Sequence, residues 1–459
     1  MKRILVLTVV VCFLLPCLFL SACGKAPSGG TTADANTFHP EEEPDTPKPG
    51  EPGLAFHEPY DPATDIDNRF ASLRSGIAET EDVIYWAPND GNFLIYYDKA
   101  SDEFAPLCGK PECEHFLNEN MWEPVKSCNA YINAENGALW YMGGKLYYAA
   151  YENDPAHNAF SALYRMDPDG TNKVKLMPIS VPENCALQNY QLHRGRLYSY
   201  CYFKEVNDAE INCTLRIYST PIDKGECDYT LVYERTTYFL SWCRMRFVGP
   251  YMYAFVCYHD DELNEDCADI YRWNANTGEG ESLYDGPGLG GGDAFWVDEN
   301  GEVYSQAYID GDSSKLARIV NGELETVMDF SDPAGDFYVS RIGDGVVIAL
   351  RNDTETSWPA DPEHYEIWLR DFDGETLYKG KLPMAWMEQI RKGGTFWGID
   401  ALTGDGNAII AEYSVRWRNA THQNEPKGGC LVRYEITENG LVETLLGTYY
   451  EKIVNNGLL

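Results

Sequence analysis

Positive charge is what this sequence has least of. Its 459 residues carry 36 Lys and Arg against 72 Asp and Glu, a formal net charge of −36 at pH 7. Nucleic-acid binding requires basic surface to displace counterions from phosphates, so this balance excludes DNA and RNA as partners. A polybasic contact with a membrane fails on the same ground, and solubility in a crowded compartment is the simplest consequence of so much negative charge. Helix signals are also sparse. Only Pro383 to Lys392, with Trp386, Met387 and Ile390 on one side, reads as a short helix. Catalytic signatures are missing: there is no Gly-x-Ser-x-Gly elbow and no His-Glu-x-x-His. Gly286-Pro-Gly-Leu-Gly-Gly-Gly292 has the glycines of a phosphate loop, but no helix follows, so it reads as a flexible connection.

Long apolar runs are confined to the first residues. Lys2 and Arg3 precede an apolar stretch from Ile4 to Leu20, broken only by Thr8 and Pro16, and Leu20-Ser21-Ala22-Cys23 follows. This is the three-part layout of an export signal, with small residues before the cut. The competing reading is an uncleaved transmembrane helix, since about 17 apolar residues is near the lower limit for spanning. Pro16 and the lack of a positive stop-transfer cluster argue against it. The tetrapeptide resembles the bacterial lipobox, which implies cleavage before Cys23 and acylation of its thiol. Residues 1–22 are thus expected to be a lipoprotein signal peptide, leaving the chain exported and lipid-anchored to the outer face of a bacterial cell membrane. Residues 23–65 read as the lipidated N-terminus and a tether. Glu41-Glu42-Glu43-Pro44 and Pro47-Lys48-Pro49-Gly50 typify a stretch with almost nothing to bury, and its prolines stiffen it toward polyproline II.

Residues 66–459 carry a repeat. A third-strand-and-turn element recurs as Phe93-Leu-Ile-Tyr-Tyr-Asp98, Ala162-Leu-Tyr-Arg-Met-Asp167-Pro-Asp-Gly170, Leu215-Arg-Ile-Tyr218 and Asp269-Ile-Tyr-Arg-Trp-Asn274. It continues as Leu316-Ala-Arg-Ile-Val-Asn-Gly322, Ile367-Trp-Leu-Arg-Asp-Phe-Asp-Gly374 and Leu431-Val-Arg-Tyr-Glu435. Several copies follow a second strand such as Lys145-Leu-Tyr-Tyr148, Arg196-Leu-Tyr-Ser199 or Glu302-Val-Tyr304. Four antiparallel strands per unit at this period predict an all-β fold, a β-propeller of seven four-stranded blades, with six or eight left open. Asp-Gly and Asn-Gly pairs suit the tight turns because they tolerate positive φ.

The Leu163-to-Gly170 element resembles the repeats of TolB-like propellers. Leu107-Cys-Gly-Lys-Pro-Glu-Cys-Glu-His115, followed by Cys128-Asn-Ala-Tyr131, resembles a group of uncharacterised propeller lipoproteins of Gram-positive bacteria. The resemblance implies fold and location, and no activity.

In a propeller the second-to-third-strand loops and the blade-to-blade connections share one face. Here that set includes the long stretches Glu152 to Phe160, Lys204 to Ile211, His259 to Asp266, Asn352 to His364 and Ser414 to Lys427, so binding is expected there. Cys108, Cys113, His115 and Cys128 could bind Zn²⁺, although an exported protein more often uses such thiols for a disulfide. Disulfide, metal and free thiols stay open. The carboxylates of His259-to-Asp266 suit Ca²⁺ but lack the order of a calcium loop, so a solvated loop is favoured. No cofactor is expected, with Zn or Ca the only candidates. Trp122, Trp358 and Trp386 fall in loops or connections, where their apolar faces could stack on sugar rings. Cys201 with Cys213, and Cys257 with Cys267, occupy matching places in two successive hairpins, each separated by an odd number of residues. That spacing predicts cross-strand disulfides. The expected function is a non-catalytic propeller that binds a protein, peptide or glycan partner and touches membrane only through its anchor. A glycan hydrolase or lyase with carboxylates in the central funnel is the alternative.

Overall fold

The computed structural model describes residues 58–71, 76–88, 93–113, 128–154, 158–180, 182, 187–207, 210–237, 239–290, 294–309, 312–332, 338–342, 346–352, 365–390, 394–417 and 427–450. Their strands fall into seven antiparallel sheets, each built from consecutive strands. The first holds β1 (Gly76–Glu79), β2 (Val83–Ala87), β3 (Ile95–Asp98) and β4 (Glu103–Pro106). The second holds β5 (Ala134–Met142), β6 (Lys145–Asp154), β7 (Asn158–Met166) and β8 (Val174–Ile179). The third holds β9 (Gln188–His193), β10 (Arg196–Asn207), β11 (Glu210–Pro221) and β12 (Thr230–Thr237). The fourth holds β13 (Phe239–Val248), β14 (Tyr251–Asp260), β15 (Glu265–Asn274) and β16 (Gly280–Pro287). In the fifth, β17 (Leu289–Gly290) and β18 (Trp296–Val297) both pair with β19 (Val303–Ile309), which leads to β20 (Asp312–Val320) and β21 (Glu323–Asp329). The sixth comprises β22 (Tyr338–Ile342), β23 (Val346–Asn352), β24 (Tyr365–Asp371) and β25 (Thr376–Lys381). The seventh comprises β26 (Gly394–Gly404), β27 (Ala408–Trp417), β28 (Lys427–Thr437) and β29 (Gly440–Tyr450). All seven copies of the repeated element contribute to the third strands β3, β7, β11, β15, β20, β24 and β28.

First strands touch first strands around the ring, as in β1 with β5, β5 with β9, β13 with β18 and β22 with β26, so they gather about one axis. The core lies between sheets. Tyr85 and Leu94 of the first sheet pack with Leu139 and Tyr148 of the second, and a large cluster joins the second, third and fourth through Trp140, Leu163, Leu215 and Met252. Phe255 and Phe295 bridge the fourth and fifth, Leu316 and Val339 the fifth and sixth, and Leu369 and Tyr413 the sixth and seventh. Ile84 and Trp86 pack against Ile410 and Leu431, which returns the seventh sheet to the first. This is a closed β-propeller, and among the described residues its terminal sheets share no strand. Closure there is made by side chains. Gly447 is part of it, because a Cβ at that position would stand 2.3 Å from the Phe104 ring.

The expected short helix is a tighter 3₁₀ turn, Ala385–Gln389. The third strands bury their aliphatic residues most deeply: Leu163, Leu215 and Leu369 are inaccessible, whereas Tyr164 and Trp368 are half-buried. Each aromatic finds its place between rings, Tyr164 stacked on Tyr148 at 5.2 Å and Trp368 edge-on to Phe330 at 5.5 Å.

Residues 58–65, assigned to the tether by composition, have ordered structure of their own and hydrogen-bond to turns of the ring, with Asp65 buried. The long second-to-third-strand loops also need correction. Glu152 to Phe160 and Lys204 to Ile211 are mostly strand, with β6, β7, β10 and β11 running on as ribbons, and His259 to Asp266 closes on a turn at 261–264. Those turns overturn the disulfide expectation. The β10–β11 hairpin closes at Asn207 opposite Glu210 and β14–β15 at Asp260 opposite Glu265, both leaving an even number of residues between. Cysteines separated by an odd number then lie on opposite faces of the sheet. Cys201 opposes Arg216 and Cys213 opposes Lys204; Cys257 opposes Ala268 and Cys267 opposes Tyr258. Cys213, Cys257 and Cys267 are not disulfide-bonded, while Cys201 is engaged in a disulfide that does not involve Cys213.

Candidate functional site

One mouth of the channel is occupied by the chain itself. Residues 58–71 precede β1 and cross the ring at the ends where first strands turn into second strands. Asp61-Pro62 begins a tight turn, with the Asp61 side chain accepting the Ala63 N–H and its carbonyl accepting those of Thr64 and Asp65. From there the segment is fastened to successive sheets. Gly143 donates to the Pro62 carbonyl and Arg194 to that of Thr64. Asn68 pairs with the Phe247 backbone in both directions, Arg246 donates to the Ala71 carbonyl, and Thr403 donates to that of Arg69. The second, third, fourth and seventh sheets are thus clasped by one short stretch.

Charge completes the clasp. Arg194 forks across Asp65, its Nε 2.6 Å from one carboxylate oxygen and its second amino nitrogen 3.1 Å from the other, and it also pairs with Glu58. Burial alone would raise the Asp65 carboxyl, but Arg194 and the Asp61 N–H hold it below the usual range. Arg69 likewise gathers Asp67, Glu79 and Asp405. His193 is buried under the segment: the Ile66 N–H donates to Nδ1, and Nε2–H donates to the Gly249 carbonyl at 2.8 Å. Burial depresses this imidazole to about 4, so it is neutral near pH 7. Two cavities flank the clasp. One of about 500 Å³ lies beside Tyr60, Asp67 and Trp296, and one of about 750 Å³ beside Tyr60, Arg69 and Tyr141. Sequence reasoning missed this region. Its signal was Asp61-Pro-Ala-Thr-Asp65-Ile66, a turn former joined to the first apolar residue to be buried.

The second constellation is the thiol cluster. Cys108, Cys113 and Cys128 bring their sulfurs within 4.8 Å of one another, and among the described residues this is the grouping able to hold a metal ion. The connection 107–133 that carries them leaves β4 early, because that strand is only four residues long. It is pinned at both ends. Leu107 donates to the Leu94 carbonyl, Leu94 to that of Ala130, and Phe93 bridges Tyr131. The Cys113 N–H closes a turn on the Lys110 carbonyl at 3.1 Å. Cys128 is buried with Phe93 and Ala130, and the other two thiols pack against them half-exposed. The cluster therefore sits in the crevice between the first two sheets, where the β7–β8 turn meets it. Gly170 of that turn has φ +79°, and a Cβ there would stand 2.5 Å from the Leu107 carbonyl oxygen. Lys173 of the same turn donates to the Tyr131 carbonyl. The Cys108 sulfur accepts the backbone N–H groups of Lys110 and Asn129, and Cys128 accepts that of Ala130. Burial would raise the Cys108 thiol, but those donors and the neighbouring thiols hold it below its usual value, whereas burial pushes Cys128 up to about 12.

His115, Trp122 and Trp358 lie outside the described residues, as do Cys23 and the rest of residues 1–57. Trp386 is not a binding-face aromatic. It is 1% exposed, it donates its indole N–H to the Tyr434 hydroxyl, and it packs on Tyr413, because the 3₁₀ turn folds it inward between the last two sheets. The acidic stretch at 259–266 is a solvated turn: Asp260 accepts the Glu262 and Leu263 N–H groups, and His259 meets Asp266 at 3.0 Å.

No family model matches the sequence, and a search of curated proteins finds no match. Solved structures share the architecture at low identity. The β-propeller domain of the Trilobed protease from Pyrococcus furiosus, described as an open velcro topology, is 13% identical over 81% of this chain and 96% of that one, with a TM-score of 0.41. An oligogalacturonate lyase in complex with manganese is 10% identical over 80% of this chain and 88% of that one, at 0.43. The acylaminoacyl peptidase of Pyrococcus horikoshii is 11% identical over 81% of this chain, at 0.42, and the match spans 59% of that enzyme's length. The likeness is one of fold alone.

Proposed function

We propose that this protein is an exported propeller, lipid-anchored through Cys23, that binds a protein, peptide or envelope glycan without transforming it, at the end of the ring opposite the clasp. The carrying observation is the clasp. The segment that would lead from the tether fills one mouth, and the second-to-third-strand hairpins lie at the other end. There β6–β7, β10–β11 and β14–β15 run longest among the first four sheets and present Tyr151, Tyr202 and Leu263 to solvent. Exposed aromatic and aliphatic side chains on a rigid scaffold suit recognition. The alternative, a glycan hydrolase, requires a pair of carboxyl groups left open to flank the sugar in the funnel. Asp65, Asp67, Glu79 and Asp405 are instead drawn into arginine pairs at the clasped mouth.

The test uses the mature chain from residue 23, with Cys23→Ser to keep it soluble, immobilised against fractionated envelope protein, peptide and glycan. Retention of one fraction that falls at least tenfold in Tyr151→Ala with Tyr202→Ala, and not in Asp67→Asn, supports the reading. New reducing or unsaturated ends in the glycan fraction would transfer the case to the enzyme. In cells, full-length Cys23→Ser is expected to leave the membrane fraction. If it is processed and still membrane-bound after a salt wash, the anchor is wrong.

A further inference from the structure

The three sulfurs near 107–133 belong neither to the clasp nor to the β6–β7, β10–β11 and β14–β15 hairpins, and neither reading uses them. Their arrangement has its own logic. Cys108 accepts the N–H of Lys110 and Cys128 that of Ala130, so two of the three cysteines sit in turns where the amide two residues ahead points at the sulfur. A third N–H, from Asn129, also reaches Cys108. Such amides are the outer donors that metal-bound sulfurs commonly accept. In a tetrahedral zinc site, Zn–S bonds of about 2.3 Å place sulfurs roughly 3.8 Å apart, which a triangle no wider than 4.8 Å reaches with small side-chain adjustments. The need is local. This connection is longer than any other between successive sheets and has a small apolar cluster of its own, Phe93, Cys128 and Ala130 with Tyr131 against them. Cys108 and Cys128 lie near its two ends.

We propose that Cys108, Cys113 and Cys128 bind one zinc ion as thiolates, forming a structural staple that locks the connection into the crevice between the first and second sheets. Soft sulfur donors select Zn²⁺ over the hard cations that the acidic surface attracts. On binding, each of the three S–H groups releases its proton to solvent and gives a lone pair to the metal, so affinity rises with pH. The resulting centre carries one net negative charge, and Lys110 and Lys173 are the cations beside it. A fourth donor completes the tetrahedron, and the proposal rests on the three thiols alone.

Elemental analysis of the mature chain, purified under reducing conditions, should find one zinc per chain. Cobalt added to the metal-stripped protein should produce a thiolate-to-metal charge-transfer band. Each of Cys108→Ser, Cys113→Ser and Cys128→Ser should weaken that band by about a third or more and lower the metal content. Cys213→Ser, on a strand away from the cluster, should leave both unchanged. Because a variant could fail to fold, alkylation of the unaltered chain provides the second readout: zinc should protect these three thiols at least tenfold, and chelator should restore their reactivity. Reduced protein that takes up no stoichiometric metal, or alkylation rates indifferent to zinc, overturns the proposal. So does a disulfide between two of the three in protein isolated from cells.

Discussion

Two irregular segments flank the first sheet, and they are immobilised by different chemistry. Before it, 58–71 is tied to four other sheets by backbone hydrogen bonds, a buried histidine and three arginines. After it, the described parts of 107–133 are held by a few backbone bonds to the first two sheets and by one lysine of the second, and they carry three converging sulfurs. The difference follows from position. A segment crossing the channel mouth meets a circle of strand ends, each offering unpaired N–H and C=O groups, and polar side chains can satisfy many of them at once. A segment lying in a crevice between two sheets meets side chains, and must supply its own cross-link.

The clasp should therefore be the more sensitive of the two to loss of a single charge. In Arg194→Ala the Asp65 carboxylate, 3% exposed, loses both guanidinium bonds. Removing one partner of a buried pair costs about 3–5 kcal/mol, and urea unfolding should show it. Lys224→Ala, which breaks the exposed pair with Asp228, should change stability by less than about 1 kcal/mol. Similar small losses in both would mean that the segment is fastened by its backbone alone.

Acid separates the two segments next. The His193 imidazole has a folded-state pKa of about 4 against an ordinary 6.5, so the unfolded chain binds the extra proton first. Stability from this site is complete above about 6.5 and is lost as pH falls toward 4, by at most about 3 kcal/mol. Asp65, held below its usual value by Arg194, gives way only at more acidic pH. Amide exchange in 58–71, corrected for intrinsic rates, should quicken between pH 6.5 and 4 while that at 128–133 does not. His193→Gln should flatten the response. A clasp with no pH dependence over this interval would remove histidine from its mechanism.

The fold was legible because it is periodic. Seven third-strand elements each carry an aliphatic residue for the core, six of them with an aromatic neighbour, and seven third strands resulted. What escaped was set by contacts distant in sequence. Nothing local marks Asp65 as the partner of Arg194, 129 residues away. Trp386 looked like a loop tryptophan because the buried hydroxyl it serves, on Tyr434, lies in another strand. The thiol cluster was half legible: spacing put the cysteines in one connection, but only the fold brings the sulfurs to a triangle. Strand extension was misjudged because polar ribbons such as Lys204 to Ile211 have the composition of loops.

Sulfur on a strand should behave unlike sulfur in a turn, and this is the smallest effect expected. Cys257 and Cys267 stand one residue out of register across the β14–β15 hairpin, facing Ala268 and Tyr258. A one-residue offset turns the two side chains to opposite faces of the sheet, so oxidation cannot join them without shifting the hairpin. Removing a native disulfide typically costs 2–5 kcal/mol. Replacing the half-buried thiol of Cys257, which is in no disulfide, by alanine removes one sulfur atom and should cost about 1 kcal/mol or less. Peptide mapping of protein denatured without reductant should recover both cysteines alkylated, even after mild oxidation. A Cys257–Cys267 crosslink, or a loss in Cys257→Ala as large as a disulfide's, would mean that this hairpin closes on an odd turn. The thiols at 108, 113 and 128 lie on turns and connections, where no pleat assigns them to opposite faces, and can converge on one point.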